Sequence, residues 1–299
     1  METKNLLLPF LAMSVLLLAV EIGALMLSLP VQASGVVAFD DPAAMENPVI
    51  FIGIMLGFTA LLLVLIRYDM KKVIGAIIGL SLFLTFIYIF MAIVYSLIGT
   101  TDTATVIVVI LSILSILLLY KYPEWYVIDG LGILIGAGVA AIFGASLEVL
   151  PVVILLILLA VYDAISVYKT KHMITLAEGV MDMKTPILFV IPKRRDYSFI
   201  KEGIGKLDSG GERAAFIIGM GDMIMPSILV VSANVFVQGW KLGGLINLPA
   251  LGAIIGSLAG LVVLLYFVMS GKPQAGLPPL NGGTILGFLA GMAAMTMMV

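Results

Sequence analysis

An all-α polytopic membrane protein with nine transmembrane helices is the fold class this sequence predicts, and three observations carry it. Apolar residues make up 62% of the 299 residues and charged residues only 11%, which leaves too little polar surface for a soluble fold. The apolar residues gather into nine runs, each long enough to cross roughly 30 Å of hydrocarbon. All Lys and Arg but one gather at alternate connections between those runs and the helix ends beside them, the asymmetry that sets orientation in a membrane.

The runs fall at 5–29, 48–67, 73–98, 104–120, 126–145, 149–168, 214–237, 244–268 and 280–298, and the chain reads as a single transmembrane domain, 1–299, with one long inner loop at 169–213. The first run has the outline of a cleavable signal: a short Met-Glu-Thr-Lys start, then apolar residues, then Val31-Gln32-Ala33-Ser34. It is long for a signal and carries Glu21, so it is read as a retained span. The fifth run holds Gly130, Gly132, Gly136 and Gly138, a composition built for close contact. Gly252, Gly256 and Gly260 recur every fourth residue in the eighth run, as do Gly283, Gly287 and Gly291 in the ninth. Each set makes a flat stripe on which another helix backbone can lie.

With nine spans the amino terminus shares a side with the second, fourth, sixth and eighth connections. That side holds every Lys and Arg except Lys241. The basic-inside rule therefore places the amino terminus in the cytoplasm and the carboxyl terminus outside.

The inner loop has order of its own. Met173, Leu176, Ala177 and Val180 stand at helical spacing and predict a short amphipathic helix at the membrane surface. Ile187 to Ile191, five apolar residues between Pro186 and Pro192, read as a short strand or as a loop segment tucked onto the bundle. Lys206 to Gly211 is a polar, glycine-bearing stretch expected to be flexible.

Several chemistries are excluded at once. There is no cysteine and only one histidine, His172, so thiolate metal sites and paired-histidine zinc motifs cannot be built. Neither a metal nor a cofactor is expected. Net charge is near zero and the basic residues lie in loops, which gives nucleic acid nothing to bind.

What remains is a pair of acids inside apolar runs. Asp222 follows Gly219-Met220-Gly221 within the seventh run, and Asp163 follows Val161-Tyr162 near the end of the sixth. An ionised Asp at mid-membrane costs roughly 2.5 to 3.5 kcal/mol on insertion scales, so such residues face the protein interior and serve a function. Six residues separate Asp163 from Lys169, roughly 9 Å of helix, and nine separate Arg213 from Asp222, roughly 13 Å at the same rise. The two carboxylates can thus meet at a common depth. In contact they do not both ionise readily, so they hold one proton between them. That is the apparatus of an aspartic protease, in which one carboxylate activates water and its protonated partner polarises the peptide carbonyl. Gly219 and Gly221 leave room for substrate and water beside Asp222, and Pro226 can kink the helix beyond it. Two other acids are left out of the chemistry. Asp129 sits near a helix start, where acids are favoured, and Glu21 lies towards the outer end of its span, within reach of water.

Tyr162-Asp163 on one span, Gly219-Met220-Gly221-Asp222 on the next and a proline-rich start to the ninth span resemble the presenilin and signal peptide peptidase family of intramembrane aspartyl proteases. The likeness extends over the whole nine-span plan, and is to a stand-alone microbial, archaeal-type member. Gly-x-Gly-Asp alone is shared with prepilin peptidases; Tyr-Asp one span earlier and the span count make the resemblance specific. It implies catalytic roles for Asp163 and Asp222, with support from Tyr162, Gly219 and Gly221. It also implies a Pro-Ala-Leu element at the start of the ninth span. Here the sequence reads Gln274-Ala275-Gly276-Leu277-Pro278-Pro279-Leu280, so either Ala275-Gly276-Leu277 or Pro278-Pro279-Leu280 fills that place. The implied substrates are transmembrane or signal-peptide helices in the lipid bilayer. The short inner loop argues against self-cleavage and against obligatory partner subunits, and leaves a homo-oligomer open. The competing reading is a transporter or cation leak in which the paired acids form an ion or proton site.

Overall fold

A computed structural model describes residues 4–170, 188–194, 196–203, 215–268 and 274–298. Among them are nine long helices: α1 (Lys4–Ser34), α2 (Asn47–Arg67), α3 (Lys71–Ile98), α4 (Asp102–Lys121), α5 (Trp125–Ser146), α6 (Val149–Ile165), α7 (Met220–Phe236), α8 (Leu248–Val268) and α9 (Leu277–Thr296). Seven are long and apolar enough to cross a membrane by themselves. Of the other two, α9 is diluted by Pro278, Pro279, Asn281 and its glycines, and α7 has only 17 residues. The amphipathic stretch at 173–180 and the flexible one at 206–211 lie outside the described residues.

The sequence expectation fails at the start of the seventh span. The apolar run from 214 is not helical there: Ala215–Gly219 forms a strand, β2, and the helix begins at Met220. The strand exists because it has a partner. Leu188–Pro192, β1, pairs with it antiparallel, Val190 opposite Ile217, which confirms the expected strand after Pro186 and moves it one residue along. Seventeen helical residues cover about 26 Å, short of the roughly 30 Å of hydrocarbon. The extended segment supplies the rest, and pairing satisfies backbone groups that lipid could not. A second ribbon, Lys241–Leu242 with Ile246–Asn247 (β3 and β4), turns the chain from α7 into α8.

The core lies where α1, α5 and α7 meet. Ile228, Leu229, Val230, Val231 and Ala233 of α7 are fully buried, as befits a central helix apolar on every side. The glycines of α5 set the spacing. A side chain at Gly138 would enter Ile89 of α3, and one at Gly144 would strike Val231.

The two glycine stripes face each other. A Cβ at Gly252, Gly256 or Gly260 would collide with the carbonyl of Gly287, Gly283 or Pro279, and those of α9 meet α8 in the same way. Backbone therefore lies on backbone along α8 and α9. Asn247 ties the start of α8 to the end of α7. Its amide donates to the carbonyls of Ala233 and Val237, and its Oδ1 caps α8 at the Ala250 N–H, 2.9 Å away.

Candidate active site

Asp163 stands in the last turn of α6, buried, where the helix widens into a π turn at Ser166–Thr170. Ser166 donates its hydroxyl to the Asp163 carbonyl at 2.9 Å. Asp222 lies in the first turn of α7, not a third of the way along a longer helix, because the residues before it are strand. That position places it at the positive end of the helix dipole. Pro226, four residues on, has no N–H to offer the Asp222 carbonyl.

The two acids converge on the segment before α9. Asp163 Oδ2 accepts the Leu277 N–H at 3.0 Å, and the Gly276 backbone also reaches Asp163. The Asp222 carboxylate sits against Gly276 so closely that a Cβ there would stand 2.7 Å from Oδ2. The two carboxyls are near enough for the charge of Asp163 to act on Asp222.

Ala275-Gly276-Leu277 is therefore the segment at the carboxylates. Pro278, Pro279 and Leu280, the other candidates, are drawn away from them. The prolines open α9, the Pro279 carbonyl lies over Gly260 of α8, and Leu280 is fully buried in the core. The remaining predicted residues surround Asp222 and Asp163. A Cβ at Gly219 would touch Asp222 Oδ2 at 3.4 Å, whereas Gly221 faces open space, room for a substrate backbone or water. Tyr162 is hydrogen-bonded to Thr59 of α2 and lies within reach of the Asp163 charge.

Sequence reasoning missed the residues that hold this arrangement. Asp129, read as a helix-start acid, is buried and accepts the Val190 N–H at 2.8 Å, so it docks β1 on α5. Gly132 makes the docking flush, since a side chain there would meet Phe189. Glu124 holds the chain that follows, accepting from Ser198 Oγ at 2.7 Å and Phe199 N–H at 3.0 Å. Burial and the nearby Glu202, Glu124 and Asp129 push the Tyr197 phenol up to about 12, so it stays protonated and donates to the Gly203 carbonyl. Asn281 ties α9 to the Leu156 carbonyl of α6. Glu21 does not reach water. It is fully buried and accepts a 2.7 Å bond from Ser257 Oγ, linking α1 to α8, because α1 continues past the expected end to Ser34. Glu21, Asp129 and Gly132 carried a sequence signal, two acids and a glycine set in apolar runs, which did not reveal the contacts they make.

Two carboxyls gathered at one segment beside open space, with a backbone N–H aimed at one of them, can activate water against an amide. Comparison with known families decides the class: residues 13–297 match signal-peptide peptidase, presenilin aspartyl protease. The chain belongs to this family. A solved structure described as a presenilin family intramembrane aspartate protease, in space group C222, is 51% identical over 96% of this chain and 100% of its own, with a TM-score of 0.72. A second with the same description, in P2, is 52% identical over 96% of this chain and 98% of its own, with a TM-score of 0.70. Comparison with curated proteins returns no match. This presenilin-family chain is a multi-pass membrane protein and an intramembrane aspartyl protease, and nothing in the comparisons supports the transport reading.

Proposed function

We propose that Asp163 and Asp222 are the catalytic pair and that they hydrolyse peptide bonds within transmembrane or signal-peptide helices. The observation that carries this reading is the convergence of both carboxylates on Gly276 and Leu277. One carboxylate takes a proton from water, which attacks the scissile carbonyl. The other, protonated, polarises the carbonyl oxygen and then protonates the leaving nitrogen. The Leu277 N–H fixes Asp163 Oδ2 and so orients the carboxyl for the reaction.

A helical substrate hides its carbonyls, so it must unwind before it is cut. The ribbon beside the site offers an edge for the unwound stretch. The Val190 N–H goes to Asp129, so it points away from β2. Antiparallel partners alternate in direction, and Ile217, opposite Val190, therefore turns its own N–H outward on β2. Asp129 occupies the β1 edge, which leaves β2 as the docking edge, leading through Gly219 to Asp222.

The charge asymmetry of the connections supports an amino terminus in the cytoplasm and a carboxyl terminus outside. The short inner loop supports an enzyme that needs no partner subunit, while homo-oligomers remain compatible with it. Incubating the purified protein alone with a single-span test peptide, and identifying fragments by mass, tests both activity and independence. Absence of cleavage by the isolated, folded protein would contradict the proposal.

A further inference from the structure

The segment that meets both acids is fastened at a second point. Tyr168, in the π turn after Asp163, donates its hydroxyl to Gln274 Oε1 at 2.8 Å and accepts the Ala275 N–H at 3.3 Å. Two residues later the Leu277 N–H reaches Asp163 Oδ2. The π turn explains how two side chains five residues apart can serve one segment. In a regular α-helix Tyr168 would stand about 140° around the axis from Asp163. The wider turn underwinds the chain and carries Tyr168 back towards the Asp163 face.

We propose that Tyr168 is a positioning residue for the dyad: its hydroxyl holds Gln274 and Ala275 so that Gly276 and Leu277 are presented to Asp222 and Asp163. This rests on the proposed catalytic role of the two acids. Tyr168 is 56% exposed and its bond to Gln274 lies at the protein surface, so these hydrogen bonds add little to the stability of the fold. Their effect lies in geometry. Ala275 is buried and has no side-chain polar group to hold its place, so the hydroxyl sets where the chain enters the site. A small displacement of a reacting group costs far more in rate than in stability.

The test is steady-state kinetics of purified full-length Tyr168→Phe with a single-span peptide, beside Gln274→Leu and Asp163→Asn. Tyr168→Phe keeps the ring and should lower kcat about tenfold, with KM within about twofold, as expected when an interaction is felt mainly in the transition state. The thermal midpoint should be unchanged. Gln274→Leu should lower kcat in the same direction, and the double change should be no worse than Tyr168→Phe. A wild-type kcat in Tyr168→Phe, a change confined to KM, or a loss matched by a fall in thermal midpoint overturns the latch. Should Tyr168→Phe fail to fold, a wild-type kcat in Gln274→Leu overturns it instead. Activity in Asp163→Asn would sink the dyad reading, whereas an inactive Asp163→Asn beside a fully active Tyr168→Phe sinks the latch alone.

Discussion

Gly276 touches Asp222 through a side chain it does not have: a Cβ on Gly276 would stand 2.7 Å from Oδ2 and 2.9 Å from Oδ1. Its backbone is α-region, φ −81° and ψ −39°, which alanine adopts freely. Gly276→Ala therefore carries no conformational penalty and acts only by displacing the carboxylate. Cleavage should fall by about a hundredfold, the scale of an ångström-sized misplacement, with thermal stability retained. A variant cutting at the wild-type rate would show that Asp222 is not held against this segment.

Asp129 supplies the acceptor for the Val190 N–H. Asp129→Leu leaves that donor buried and unpaired, at a cost of about 1 to 3 kcal/mol, so the ribbon should loosen. Hydrogen exchange at residues 188–192 should quicken and turnover should drop. Asp129→Asn keeps an oxygen acceptor and should behave close to wild type. Equal behaviour of the two variants would remove the clamp from the account.

Proline at Ile217 removes an N–H that faces outward from β2 and spares the pairing to β1. Ile217→Pro should therefore cut turnover while the thermal midpoint holds. Proline at Val190 removes the group bonded to Asp129, so Val190→Pro should loosen the ribbon as well. Full activity of Ile217→Pro would discard docking on the β2 edge.

Gly256 lies under the Gly283 carbonyl. Gly256→Leu must push α8 and α9 apart, at about 1 to 3 kcal/mol for an overpacked contact. The thermal midpoint should fall, and activity with it, since α9 carries Leu277. Unchanged stability would mean that the helices do not lie backbone to backbone.

Much of this was legible in the sequence because it rests on side-chain patterning. Nine apolar runs, two glycine stripes and two acids at matched positions are all written in residue types. The start of α7 was not, since Ala215 to Ile218 is apolar enough for a helix, and only its pairing with β1, set by distant residues, makes it a strand. The contacts of Gly276 and Leu277 were hidden for another reason. They are made by backbone, which looks the same at every position, so the sequence left two candidate segments and the fold chose between them. Glu21 was misjudged because its burial depends on Ser257, 236 residues away.

The most direct measurement is cleavage of a single-span peptide by Asp163→Asn, Asp222→Asn and the double variant, each checked for wild-type folding. Each change preserves shape and removes the capacity to share a proton, so each should abolish cleavage, and the double variant should be no worse than either single one. Wild-type activity should fall on both sides of a pH optimum, because the pair works with one proton between its two carboxyls. Near wild-type cleavage by either single variant would contradict the dyad.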